Sequence, residues 1–584
     1  MSYRNTWCGL VSDQQVGQTI KVAGWVHRRR DHGNLVFVDL RDRTGLVQLV
    51  FDPARGAQAH AASHSVRSEF VLSARGKVLN RDPERINPNL PTGRVEILVE
   101  ELNILAEAKT PPFLPDERVD VDDNLRLRYR YIDLRRAQMQ RNLRLRDKVC
   151  RSARRHFEEN AFIEVETPIL TKSTPEGARD FLVPSRTQAG AFYALPQSPQ
   201  LFKQLLMIAG YERYYQIARA FRDEDLRADR QPEHTQIDLE MSFVEEEDIY
   251  ALVEGMVQRV FSDALGVELD IPFPRLDYRE AMRRFGSDKP DLRFAMEIAD
   301  ISDLVADCGF KVFTEVLDSG GAVRGLCAAG AGGFSRKDVD DVAGVAAVHG
   351  AKGLIPIWVE ESGVRSPIAK FVSPETMEGI VQRMGAVAGD LLLFAADRLP
   401  VLEPSLGTLR VHLAERLGVP KEGWRFTWVL NFPMFEYDER EKRWKAQHHP
   451  FTRPRIQDAA DLGRHPAELG THAYDLVLNG VELGSGSLRV SDPAMQEAIF
   501  ATLGMGSEEI AAKFGFLVEA MDYGIPPHGG MALGLDRLVM LMAGEDSIRD
   551  VIAFPKTQSG SCPLTGAPSS VSNGQMKELR LKTI

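Results

Sequence analysis

Between Tyr214 and Glu240 an apolar, β-like run extends through Ile217, a densely charged segment follows from Arg222 to Glu233, and alternation resumes at Thr235-Gln-Ile-Asp-Leu-Glu240. That order reads as strand, long charged loop, strand, so a hairpin holds the loop over its sheet. Arg222 and Glu224 lie two apart at the start of the loop, a spacing that sends both side chains to one face of an extended backbone. One can grip a phosphate while the other accepts hydrogen bonds from an amine or amide edge. A solvated hairpin tip carries similar charge, so the meaning of the pair depends on the stretches that accompany it.

At 584 residues the chain is long enough for several domains, and 43% hydrophobic with 27% charged residues is ordinary for globular protein. No apolar run approaches the length needed to span a bilayer, and Met1-Ser-Tyr-Arg-Asn lacks a secretory segment, so a cytoplasmic location with no membrane partner is expected. The five cysteines are scattered without a CxxC pair, which suggests neither a disulfide framework nor structural zinc. The net charge of −11 argues against indiscriminate coating of nucleic acid. Basic stripes at His27–Arg30 and from Arg126 to Arg155 nevertheless suit a polyanion that touches selected surfaces.

From Lys21 to Leu105 five short β-rich runs separated by Gly, Asp and Pro turns suggest a small closed barrel of the oligonucleotide-binding kind. Arg30, Phe37, Gln48 and Glu96 lie on or beside separate strands and have the chemistry for stacking and base-edge contacts. Ala108-Lys-Thr-Pro-Pro-Phe-Leu-Pro is an extended connector. A helix-like basic run from Asn124 to Glu159 follows, then a strand that breaks at Pro168, where a subunit edge or a surface edge could lie. The loop Thr174–Asp180 could bring Glu176 to a ligand amine. Beyond it, Ser198-Pro-Gln suits a helix start, with Gln200, Lys203 and Gln204 on one face and Leu201, Leu205 and Ile208 on the other. Residues 291–418 turn Gly- and Ala-rich, without a P-loop or dinucleotide fingerprint, and read as an inserted α+β domain. Chemistry resumes at His448-His449. Asp475 and Glu482 sit on strands joined at Asn479-Gly480, an arrangement able to hold Mg²⁺. Gly484-Ser-Gly-Ser allows close approach to the backbone, and Arg489 continues the strand. Finally Gly529-Gly530 through Gly534-Leu535-Asp536-Arg537 passes from strand into helix, where free amides and the dipole favour an anion beside Arg537.

Taken together, the strand ending at Pro168, Phe221-Arg222-Asp223-Glu224, and Gly529 through Arg537 resemble the three motifs of the class II aminoacyl-tRNA synthetases. Within the class the chain is similar over nearly its whole length to the bacterial-type aspartyl enzymes, through Gln197–Lys203, Phe221–Asp238, His448-His449 and Gly480–Arg489. The resemblance implies a multidomain α/β protein. An OB-fold barrel (1–106) would be followed by a hinge (107–135) and an antiparallel-sheet catalytic domain in two parts (136–290 and 419–560). The α+β insertion lies between those parts (291–418), and a C-terminal extension closes the chain (561–584). It also implies a homodimer.

The implied reaction joins L-aspartate to ATP and passes the aspartyl group to tRNA(Asp). In it Arg222 would hold the α-phosphate and Arg537 the γ-phosphate. Glu224 and Gln231 would seat adenosine, with Asp223, Gly534, Leu535 and Asp536 completing the nucleotide site and Mg²⁺ held at Asp475 and Glu482. Lys203 and Arg489, aided by Gln200, His448 and His449, would face the side-chain carboxylate of aspartate, while Ser198, Glu176 and Asp238 position its ammonium end. In the barrel Phe37 would stack on an anticodon base beside Arg30, Gln48 and Glu96. His32 matches members that also charge tRNA(Asn), whereas Glu84 matches neither the glycine nor the lysine expected there. Asparaginyl or lysyl enzymes share the barrel and motifs, but Lys203 and Arg489 suit an acidic amino acid. A catalytically silent RNA-binding relative would lack Arg222, Glu224 or Arg537.

Overall fold

A computed structural model describes residues 2–174, 178–226, 228–463 and 466–582. The chain forms two compact units, Met1–Arg144 with Arg549–Ser569, and Leu145–Ile548 with Ser570–Ile584.

In the first unit the strands Thr19–His32, Leu35–Asp42, Gly45–Phe51, Val71–Asn80 and Val95–Ala106 close into a barrel. Alternation builds it: Val36, Val38 and Leu40 point into a core shared with Val22, Val47, Leu72 and Ile97, and the intervening residues face outward. The basic run expected as one helix is three, Asp123–Arg128, Arg130–Asp133 and Ala137–Glu159. The buried Arg130 spans a gap in chain order by donating to the carbonyls of Arg549, Ile552 and Ala553. Residues 549–569 therefore group with this unit.

The second unit is built on an eight-stranded sheet in the order Arg275–Asp277, Phe426–Leu430, Ala473–Leu478, Val481–Leu488, His528–Gly534, Glu233–Ser242, Arg213–Phe221, Ile163–Glu164. Pairing is antiparallel throughout its middle, and only the two outermost strands run parallel to their neighbours. The strand before Pro168 is only two residues long and sits at the sheet edge. The hairpin Arg213–Phe221/Glu233–Ser242 appears with the interruption where the charge pattern placed it. Asn479 and Gly480 make the two-residue turn between the next pair of strands, both at positive φ (53° and 85°), the conformation a tight hairpin requires.

The glycines of Gly484-Ser-Gly-Ser serve this chain's own sheet. A Cβ on Gly484 would lie 2.4 Å from the Ala532 carbonyl, and one on Gly486 would lie 2.3 Å from the Gly530 carbonyl. The adjacent strand makes this close approach, and Gly484, Ser485 and Gly486 also line the cavity described below. Residues 299–397 carry a separate five-stranded sheet with an apolar cluster on each face. The helix Leu399–Arg416 packs beside it, and its buried Arg410 donates to the carbonyls of Asp291, Phe294 and Met296. The tail expected to be irregular contains one short helix, Asn573–Glu578. No helix among the described residues is long and apolar enough to cross a membrane.

Candidate active site

Three sheet strands and one helix converge on a cavity of about 300 Å³ in the second unit. The helix Gln200–Ile208 turns Gln200 and Lys203 into it, while Leu201 packs with Phe451 and Phe514 on the other side. Ser198 falls one residue before the cap position, held by Pro199, and its Oγ accepts from the Gln200 amide at 3.3 Å. The returning hairpin strand supplies Gln236 and Asp238. Further walls come from His448, His449, Glu482, Ser485, Arg489, Gly534, Asp536 and Arg537. Arg222 and Glu224 at the loop start, with Gln231 at its end, complete the lining.

At the floor two cations and two carboxylates interlock. Lys203 Nζ donates to Asp238 Oδ1 at 2.8 Å and lies 3.3 Å from Glu240 Oε2. Arg489 grips Glu240 bidentately through Nε (2.8 Å) and Nη2 (3.0 Å), and its Nη1 reaches Ser487 Oγ (2.8 Å) and His449 Nε2 (2.6 Å). All four charged side chains are essentially excluded from solvent. Burial alone would raise Glu240, but Arg489 and Lys203 overcome it and bring its pKa down to about 2. Asp238 is shifted upward because burial outweighs Lys203. Burial pushes His448 down to about 4, and burial with the Arg489 charge pushes His449 well below the usual imidazole range. Because an arginine can only donate, His449 Nε2 is the acceptor in that contact.

Around the charged loop, Arg222 and Arg537 both face His234, whose pKa falls to about 3 through burial and then through those two guanidinium groups. Arg537 donates to the Glu482 carbonyl (3.0 Å) and to Asp229 (3.1 Å), and Arg230 donates to Glu224 (3.2 Å). Asp475 lies behind the cavity wall, 4.0 Å from His448 Nδ1, and burial followed by the Glu482 charge raises its pKa well above the usual range. Of the fifteen buried side-chain polar atoms without a hydrogen-bond partner among the described residues, six line or back this cavity: Gln200 Nε2, Arg222 Nε, Gln236 Oε1, Asp238 Oδ2, His448 Nε2 and Asp475 Oδ1. Native proteins leave few such atoms, so a polar ligand with both donors and acceptors fits this cavity. No cluster of three or more His, Cys, Asp or Glu able to hold a metal occurs among the described residues. The all-oxygen pair Asp475 and Glu482 suits Mg²⁺, which takes one or two protein carboxylates and completes its shell with water and phosphate.

Most residues expected at the site meet there. Leu535 is buried in the core and Asp223 is half exposed, and neither lines the cavity. Glu176 lies outside the described residues. Glu240, which neutralises both floor cations, was not singled out from the sequence. Its place two residues after Asp238 on an alternating strand was the available signal. It also explains Gly530, since a Cβ there would lie 2.0 Å from Glu240 Oε2.

On the barrel, Arg30 donates to Asp39 (2.8 Å) and to Gln48 Oε1 (3.2 Å), and Gln48 donates to Glu96 (2.9 Å), so these residues form one network. Phe37 pairs across strands with Arg30 and is half-buried. His32 sits exposed at the end of that hairpin, and Glu84 is exposed in a short 3₁₀ turn.

Residues 122–558 match the family model of class II tRNA synthetases (D, K and N), and residues 20–105 match that of the OB-fold nucleic acid binding domain. Curated relatives named aspartate–tRNA(Asp/Asn) ligase include one from Natranaerobius thermophilus, 55% identical with 99% of each chain covered. Another, from Moorella thermoacetica, is 56% identical over 100% of this chain and 97% of its own. Among solved structures, asparaginyl-tRNA synthetase from Pyrococcus horikoshii complexed with asparaginyl-adenylate aligns with a TM-score of 0.59 at 19% identity. The alignment covers 94% of this chain and 98% of that one, a likeness of fold.

Proposed function

Because the chain belongs to the class II tRNA synthetases of the D, K and N group, we propose that it is an ATP-dependent aspartate–tRNA ligase that charges both tRNA(Asp) and tRNA(Asn). The names of the relatives at 55–56% identity support both the amino acid and the double tRNA range, and His32 agrees with the latter.

In the first step a carboxylate oxygen of aspartate attacks the α-phosphorus of ATP. The bond to the β-phosphate oxygen breaks, releasing pyrophosphate and leaving aspartyl-adenylate. Negative charge gathers on the phosphates, and fixed cations that need no reorganisation stabilise it best. Arg222 is assigned to the α-phosphate and Arg537 to the γ-phosphate. Glu224 and Gln231 seat the adenosine. Asp475 and Glu482 would hold Mg²⁺, which when bound supplies further neutralisation of the phosphates. No side chain needs to act as nucleophile, because orientation alone can supply much of the rate. In the second step a hydroxyl of the terminal tRNA adenosine attacks the aspartyl carbonyl and AMP leaves.

The single observation that carries the choice of amino acid is the interlocked floor. Lys203, Arg489, Asp238 and Glu240 sum to zero charge, yet the cations keep donors in reserve. Lys203 directs two of its three N–H groups to carboxylates, and Arg489 uses four of its five. The two spare N–H groups require an acceptor, which the side-chain carboxylate of aspartate provides. Asparagine would turn an NH₂ donor toward one of them, a mismatch that weakens its transition state. Asp238, Ser198 and Glu176 are assigned to the ammonium end.

The barrel, residues 1–106, serves as the anticodon reader, with Phe37 for stacking. We further assign a homodimer joined near Pro168 and a cytoplasmic setting for the reaction. Pyrophosphate exchange with each of the amino acids tests the central reading. Exchange driven by aspartate alone is expected, and equal exchange with asparagine or lysine overturns it.

A further inference from the structure

Asp536 lies in the first turn of the helix that carries Arg537 and lines the cavity, yet both of its oxygens are already taken by protein donors. Oδ1 accepts from Arg146 Nη1 at 2.5 Å, and Oδ2 accepts from the Thr235 amide at 2.8 Å. Asp536 is 4% exposed and Arg146 19% exposed. Arg146 stands on the long helix Ala137–Glu159, Thr235 near the start of the returning hairpin strand, and Asp536 at the head of the last helix. One carboxylate thus joins three elements distant in sequence. On the far side of Thr235, its Oγ1 accepts from Arg219 Nη1 at 3.1 Å, which continues the network across the hairpin.

A carboxylate is an odd lining for a site meant to hold phosphates. Ionised and unpaired, it would repel them and compete for the neighbouring guanidinium. Paired with the half-buried Arg146 it carries no net charge, and its orientation is fixed by two hydrogen bonds. We propose that Arg146 is a positioning residue for nucleotide binding: by neutralising and clamping Asp536 it holds the first turn of the last helix so that Arg537 meets the terminal phosphate of ATP. Arg146 itself does not line the cavity. The inference rests on the nucleotide reading of the cavity given above.

The test uses the full-length protein in the pyrophosphate-exchange assay, with active sites titrated. Replacing Arg146→Ala raises the KM for ATP about tenfold, the ratio that corresponds to about 1.4 kcal/mol, while the KM for aspartate stays within about twofold. Adding Asp536→Asn to Arg146→Ala removes the uncompensated charge and lowers the KM for ATP again. Arg146→Lys, which keeps the charge but loses the fork geometry, falls between wild type and Arg146→Ala. The proposal is overturned if the KM values for both substrates rise together, or if only the number of active sites falls. Should Arg146→Ala fail to fold, an Arg146→Lys enzyme with an unchanged KM for ATP overturns it as well. A wild-type protein inactive in exchange with every amino acid would instead defeat the functional reading itself.

Discussion

Glu240 and Arg489 form a bidentate ion pair, with contacts of 2.8 and 3.0 Å, in which both side chains are essentially inaccessible to solvent. A buried pair contributes little over a well-packed apolar alternative, but removing one partner strands the other charge, at a cost of about 3–5 kcal/mol. Glu240→Gln is expected to destabilise the protein on that scale and to abolish aspartate-dependent exchange, read by thermal unfolding and by the exchange assay. Gly530→Ala acts on the same pair from the other side, because the new methyl falls 2.0 Å from Glu240 Oε2.

The same pair sets an acid limit. Although burial opposes it, Arg489 and Lys203 hold the Glu240 carboxyl down to about 2 in the folded protein, against 4.5 for an unpaired glutamate. A lowered folded pKa means that the unfolded chain binds the proton more readily, so stability falls as pH falls. The contribution is complete above about 4.5 and is lost on descent through about 2. Acid titration of the melting temperature should show this loss for the wild type and a shallower slope for Glu240→Gln.

Asp475 behaves in the opposite sense. Burial and the neighbouring Glu482 raise its pKa, so the folded protein holds a proton there that unfolded aspartate would release. A cation must displace that proton, so stabilisation of the nucleotide-free protein by Mg²⁺ is expected to grow from mildly acidic to mildly alkaline buffer. Thermal shifts with and without Mg²⁺ check it, and Asp475→Asn should remove the pH dependence.

Arg222→Ala and Arg537→Ala each delete a cation from the cavity wall assigned above to the phosphates of ATP. Loss of one preorganised donor commonly lowers turnover about 10²–10³-fold, and a fall of that size in pyrophosphate exchange is expected for each. Arg222→Lys should recover little, since an ammonium cannot reproduce the planar fork.

Substitutions on the barrel separate the two half-reactions. Phe37→Ala should weaken tRNA charging by about 1–3 kcal/mol, the value of one base–aromatic stack, while leaving pyrophosphate exchange unchanged. His32→Leu should reduce charging of tRNA(Asn) relative to tRNA(Asp), measured with purified transcripts of each.

Local patterns were legible because they are set by neighbours in the chain. The alternation on either side of Arg222–Glu233 specified the hairpin, Asn479-Gly480 specified its turn, and the barrel strands declared their inward faces residue by residue. Lys203, Arg222, Arg489 and Arg537, far apart in the chain, line one cavity in the fold. What the linear order could not reveal was pairing between residues hundreds of positions apart. Gly484 and Gly486 line the cavity, and only the folded sheet shows that they also make room for the neighbouring strand. Asp536 lines the cavity, and only the fold shows that Arg146 and the Thr235 amide occupy both of its oxygens. Glu240 has no local signature beyond strand alternation, and only the folded sheet puts Arg489, 249 positions later, against it. Sequence determined the elements and the chemical types at the site. The tertiary structure alone decided which charge neutralises which, because ion pairing depends on a few ångströms of separation and on exclusion of water, and neither is encoded by any short run of residues.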